Sequence, residues 1–150
     1  MRLTGGTPVL RMTKHFEHFE HTADVGIAAW GDSIAELYEA LAEGLAEFIC
    51  PRPTVSASQE REVAVQAEDA EALAVDFLSA VLNLIQTDRF MVAGVRITDA
   101  DEHHIVATLT GESYDPVRHE IHTEVKAVTY HLLRVAQEVG RWTGRVVLDL

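Results

Sequence analysis

Apolar residues at close spacing in FEHFE (residues 16–20) and again in residues 25–30 predict two short strands near the start of the chain, uninterrupted by proline. Between them His21-Thr22-Ala23-Asp24 breaks the period, and Gly26 permits a bulge or a close backbone approach that a side chain would block. Asp24 is thereby placed at a sheet discontinuity, where the plainest role for an aspartate is an Asx-type turn. Gly31-Asp32-Ser33 then supplies a turn and a cap, with Glu36 in capping-box spacing from Ser33. Ile34, Leu37, Leu41, Leu45, Phe48 and Ile49 recur at helical spacing and make one apolar stripe, flanked by Tyr38. Pro51 and Pro53 stop that helix, and residues 54–60 form a polar loop.

Residues 62–67 alternate as a short half-buried strand, and Glu68-Asp69 places acid at the positive end of a second helix. Its stripe is Leu73, Phe77, Ala80, Val81, Leu84 and Ile85, running to about residue 87. Residues 90–93, 95–98 and 105–109 read as a β-meander with a turn at Asp99-Ala100-Asp101-Glu102, and Gly111-Glu112-Ser113-Tyr114-Asp115-Pro116 reads as a loop. Residues 124–131 satisfy both a helical and a strand period. Leu133 to Val139 and Arg141 to Leu150, around Gly140, predict a closing hairpin. Together these elements give an α+β fold, a two-layer arrangement of a mostly antiparallel or mixed sheet with two main helices. One domain over residues 15–150 follows a flexible extension of residues 1–14, in which Met12 is an alternative start.

Charge changes the functional picture. Twelve Lys and Arg stand against 24 Asp and Glu, for a formal charge of −12, and no basic cluster is visible in the linear sequence. Unaided nucleic-acid binding is therefore disfavoured, because phosphate contacts need grouped cations. A cation site, a basic protein partner or plain solubility all fit. The lone Cys50 cannot form an internal disulfide and is read as a half-buried structural thiol in a reducing compartment. No run of 18 apolar residues and no long hydrophobic leader occur, so a cytoplasmic protein with no membrane partner is expected.

The candidate chemistry lies at the two ends of the domain. The apolar run Val146-Val147-Leu148 should be anchored in a sheet, which would hold Asp149 and the carboxyl of Leu150 in place. If that strand lies beside the first one, Asp24, Asp149 and an oxygen of Leu150 converge, and three hard oxygens suit Ca²⁺ or Mg²⁺ alike. Zinc has weaker support: the histidines 15, 18, 21, 119, 122 and 131 show no HExxH or CxxC spacing. His103 and His104 point to opposite strand faces, and the Asp-rich turn before them lacks a full calcium-loop pattern, which leaves a solvated hairpin. Glu68, Asp69 and Glu71 are first-turn acids rather than ligands. No nucleophile elbow and no phosphate-cradling glycine loop are present.

The segments HTADVGI (residues 21–27), AEDAEAL (residues 67–73), Gly111-Glu112 followed by Tyr114-Asp115 and His119, EVKAVTYH (residues 124–131) and VVLDL (residues 146–150) occur in this order. In that combination the chain resembles the archease family over nearly everything after Lys14. The resemblance implies a small α+β protein that is not itself an enzyme. Its role would be that of a cofactor of the GTP-dependent RNA ligase of tRNA splicing and RNA repair, promoting guanylylation of the ligase and its multiple turnover. It also implies a metal site at Asp24, Asp149 and Leu150, with Ca²⁺ first and Mg²⁺, Mn²⁺ or Zn²⁺ as alternatives. Lys126, His21 and His131 become candidates for partner contact, and tRNA or broken RNA would be met only through the ligase. Two other functions compete. A metal-dependent hydrolase or phosphotransferase would need a base or phosphate clamp beside the carboxylates. A general chaperone or adaptor would expose broad apolar surface.

Overall fold

A computed structural model describes residues 14–21 and 24–150; the proposed extension, apart from Lys14, lies outside the described residues. The element order is β1 (His15–His21), β2 (Asp24–Gly31), α1 (Ile34–Ile49), β3 (Gln59–Gln66), α2 (Ala70–Thr87), β4 (Phe90–Ala100), β5 (His104–Ser113), β6 (Ala127–Glu138) and β7 (Arg141–Asp149). The class is α+β. The strands divide into a four-stranded sheet, β1-β2-β7-β6, and a three-stranded sheet, β3-β5-β4, with every described pair antiparallel.

The helices form where caps and stripes predict. The Ser33 hydroxyl accepts from the Glu36 amide at 3.1 Å, and the Glu36 carboxylate accepts from the Asp32 amide at 2.8 Å, so the box closes one residue earlier than expected. Asp69 caps α2 by accepting from the Ala72 amide at 2.8 Å. Helix α1 is buried without a break from Ala40 to Ala46 because it touches β1, β2 and β7 of one sheet and β4 of the other. That buried stretch is accordingly apolar all round, apart from Glu43. Helix α2, at 18 residues, is long and apolar enough to cross a membrane by composition, yet Leu73, Phe77, Leu78 and Val81 lie in the core between β6 and the smaller sheet.

Two carboxylates of α1 reach strand β4 at the edge of the smaller sheet. Glu39 accepts from the Ile97 amide at 2.8 Å and Glu43 from the Val95 amide at 3.4 Å, and Lys14 bridges both carboxylates at 3.2 Å. A buried carboxylate is tolerated because these donors satisfy it.

Three sequence expectations are corrected. Residues 90–100 form one strand, not two, because Ala93 and Thr98 are extra residues taken up as bulges rather than turns. Residues 111–113 continue β5 instead of opening a loop; Gly111 permits this, since a Cβ there would fall 1.9 Å from the Met91 carbonyl oxygen. The terminal strand β7 pairs with β2, so it is separated from β1 by β2. The ambiguous residues 127–131 are strand, the start of β6. The Asp-rich turn is the expected solvated hairpin: Asp101 accepts from the amides of His103 at 2.7 Å and His104 at 3.0 Å.

Candidate functional site

The larger sheet has one face against α1 and one facing away. Val25, Ile27 and Ala29 of β2, with Gly144, Val146 and Leu148 of β7, form the inner face. Alternation therefore puts Asp24, Gly26, Ala28 and Trp30 on the outer face, beside Asp149, Val147, Arg145 and Thr143. Val25 is paired with Leu148, so Asp24 and Asp149, one residue further out on each strand, are cross-strand neighbours on the outer face. In the backbone register His21 stands opposite Asp24, and Ala127 opposite Asp149. The sheet end is thus a row of His21, Asp24, Asp149 and Ala127.

Neighbouring rows explain how the carboxylates are held. Phe19 lies over Gly26, where a Cβ would sit 2.1 Å from Phe19 Cζ, so Gly26 provides the close approach and not a bulge. Thr129 donates to the Val147 carbonyl at 2.9 Å, and the Lys126 amide donates to the Asp149 carbonyl at 2.8 Å. Both bonds fix the backbone of β7 just before and at Asp149.

Lys126 is exposed at the start of β6, beside the row. His131 is not in it. Between the pairs Thr129–Val147 and Arg134–Arg145, residues 130–133 of β6 face Val146 alone, a bulge of three extra residues that carries His131 away from the sheet end. Within the bulge Leu132 has φ +55° and Tyr130 is 62% exposed.

Among the described residues no group of three or more His, Cys, Asp or Glu side chains is placed to hold a metal. Asp24 and Asp149 fit a hard cation as a two-carboxylate part-site, and a third oxygen must come from elsewhere, for which Leu150 is adjacent. The donors are all oxygen, which favours Ca²⁺ or Mg²⁺ over zinc. Buried Cys50 does not join them; burial pushes its thiol up.

A second polar cluster was not evident from the sequence as a unit. Glu112 is 6% exposed and accepts from the Ser56 amide at 2.8 Å, Arg118 Nη2 at 2.7 Å and His119 Nε2 at 2.9 Å. His119, 2% exposed, receives the Asp115 amide on Nδ1 at 2.9 Å, so the ring proton sits on Nε2 and is donated to Glu112. The Ser56 amide foremost, then Arg118 and His119, hold the Glu112 carboxyl down at about 2. This cluster ties the loop after β5 to the loop before β3 and is structural. The spacing Gly111-Glu112 to His119 was visible; the role of Ser56 had no sequence signal. A cavity of about 520 Å³, lined by Ile49, Ile85, Arg89, Met91, Ile121 and Val125 among others, includes neither carboxylate of the row.

The model of the Archease protein family matches residues 16–150. The chain belongs to the archease family. It is 37% identical over 142 residues to a protein archease of Methanosarcina mazei, covering 91% of this chain and 97% of that one. It is 38% identical over 141 residues to a protein archease of Pyrococcus abyssi, covering 91% and 99%. The solution structure of Methanobacterium thermoautotrophicum protein 1598 superposes with a TM-score of 0.75 at 34% identity, over 90% of this chain and 98% of that one. The crystal structure of a Thermotoga maritima archease, described as a possible chaperone, gives a TM-score of 0.65 at 26% identity, over 88% and 94%.

Proposed function

We propose that this archease is a metal-binding activator of a GTP-dependent RNA ligase, promoting guanylylation and repeated turnover of that enzyme in tRNA splicing or RNA repair. The observation that carries the reading is the cross-strand pair Asp24 and Asp149 at the open end of the larger sheet, in a chain of this family. Asp24, Asp149 and an oxygen of Leu150 hold the ion, with Ca²⁺ favoured and Mg²⁺, Mn²⁺ or Zn²⁺ as the alternatives to be tested. When bound, the ion supplies a fixed positive charge at the sheet end. The chain's own residues do the positioning: the Lys126 amide and the Thr129 hydroxyl fix the strand that carries Asp149. Lys126 and His21 flank the pair and are assigned to ligase contact; His131, carried off in the bulge, contacts the ligase from beside it.

Activation requires differential affinity, so the archease must bind the guanylylation-competent ligase more tightly than the idle form. The hydrolase alternative is less well supported, because no hydrogen-bonded base and nucleophile pair stands beside the carboxylates among the described residues. The test is single-turnover, GTP-dependent guanylylation of the cognate ligase with and without this chain, comparing wild type with Asp24→Ala and Asp149→Ala. Stimulation by wild type alone is expected. An active ligase that ignores the wild-type protein refutes the reading.

A further inference from the structure

The outer face of the larger sheet changes character away from the carboxylates. Residues 126–148 contain Lys126, Arg134, Arg141 and Arg145 against Glu138 alone, a local excess of +3 in a chain of formal charge −12. Strand alternation gathers the three arginines: Arg134 is directly opposite Arg145, and Arg141 opposite Glu138, all on the face turned away from α1. The basic cluster that the linear sequence hides is thus assembled by the β6–β7 hairpin.

Like charges directly opposed on neighbouring strands destabilise a sheet unless something anionic relieves them. Little in the protein does so. Arg134 is bridged to Glu138, but both side chains are 51% exposed, and an exposed pair of this kind contributes little. Arg145 donates through Nε to the Leu132 carbonyl at 3.0 Å, leaving its terminal nitrogens without a hydrogen-bond partner among the described residues. Arg141 has no partner among them. The same bond pins the bulge whose left-handed Leu132 is strained and whose Tyr130 is 62% exposed. The arrangement is a set of guanidiniums on one face, with an exposed tyrosine in the bulge that precedes Arg134.

We propose that this face binds single-stranded RNA directly, with phosphates on Arg134, Arg141 and Arg145 and a base stacked on Tyr130. A flexible phosphodiester strand uses both features, charge along the backbone and a ring under a base. Asp149 lies four residues beyond Arg145 on the same face, about 13 Å along the strand, so bound RNA would run toward the carboxylate pair. The proposal departs from the expectation that RNA is met only through the ligase by adding a direct contact, and it rests on the ligase reading for the choice of RNA over DNA.

The test needs no ligase. A fluorescein-labelled single-stranded RNA oligonucleotide is titrated with the purified full chain at low and at physiological salt, and anisotropy is read. Saturable, salt-sensitive binding is expected, weakened at least ten-fold by the double variant Arg134→Glu/Arg145→Glu and about five-fold or more by Tyr130→Ala, the loss of one base stack. Circular dichroism confirms that these surface variants fold. Absence of binding at low salt, or equal binding by the variants, overturns the proposal. So does equal competition by polyglutamate with Tyr130→Ala unaffected, which would mark a surface for acidic proteins. Wild-type stimulation of ligase guanylylation without RNA binding sinks this inference alone, and RNA binding without stimulation sinks the ligase reading alone.

Discussion

If Asp24 and Asp149 are a cation site, removing one of them should have opposite effects on stability with and without the ion. Cβ atoms of cross-strand neighbours are about 5 Å apart. Two unit charges at that separation repel by about 0.8 kcal/mol in a water-like dielectric, and by more where solvent is partly excluded. In EDTA, Asp149→Asn should therefore be more stable than wild type by about 1 kcal/mol, or about 2–4 °C in melting temperature for a domain of this size. With Ca²⁺ at about a hundred times its dissociation constant, wild type should gain about 2.7 kcal/mol, roughly 5–11 °C, and the variant little or nothing. Differential scanning fluorimetry of both proteins, in EDTA and across Ca²⁺, Mg²⁺, Mn²⁺ and Zn²⁺, measures the crossover directly. Wild-type melting that no ion raises, together with a variant no more stable in EDTA, would show that the two carboxylates neither repel nor bind.

Three further outcomes follow from the packing. Glu112 has its carboxyl held at about 2 against an ordinary 4.5. The folded value is depressed, so its contribution is complete above about 4.5 and is lost as pH falls through about 2; the urea midpoint of wild type should exceed that of Glu112→Gln at pH 6, with the gap narrower at pH 3 and closing only near pH 2. Gly111→Ala would put a Cβ 1.9 Å from a backbone oxygen, and should cost about 3 kcal/mol, the upper end of overpacking, whereas Gly94→Ala meets only the Thr110 hydroxyl at 3.2 Å and should cost under about 1 kcal/mol; matched denaturant curves would falsify this if the two losses were equal. Cys50, 3% exposed, should react with a thiol reagent orders of magnitude more slowly in the native protein than in urea, and fast native labelling would contradict its burial.

The helices and their ends were legible because local signals suffice for them: Ser33, Glu36 and Asp69 act as caps, and the stripes face the core. The carboxylate pair was partly legible. Anchoring of residues 146–148 in a sheet was readable from their apolar run, but the neighbour proved to be the second strand, which topology alone decides. Other features depend on what opposes a residue, and a linear pattern does not carry that. Gly94 looked like a break between strands, yet the chain passes it as one bulged strand because β5 runs unbroken beside it. A regular hairpin around Gly140 predicts Arg134 opposite Arg145 correctly, but would also bring Tyr130 opposite Asp149. The three-residue bulge shifts the register so that Ala127 stands there instead, bringing Lys126 to the sheet end and taking His131 from it.

The grip of α1 on strand β4 has a consequence for the protein at high concentration. An unpaired strand edge invites a neighbouring molecule to extend the sheet, the first step toward fibrous aggregation. Here the outward amides of Val95 and Ile97 already donate to Glu43 and Glu39 of the same chain. An incoming strand would have to displace two carboxylates and offer something better than a charged acceptor, so the smaller sheet is closed to growth on that side by its own helix.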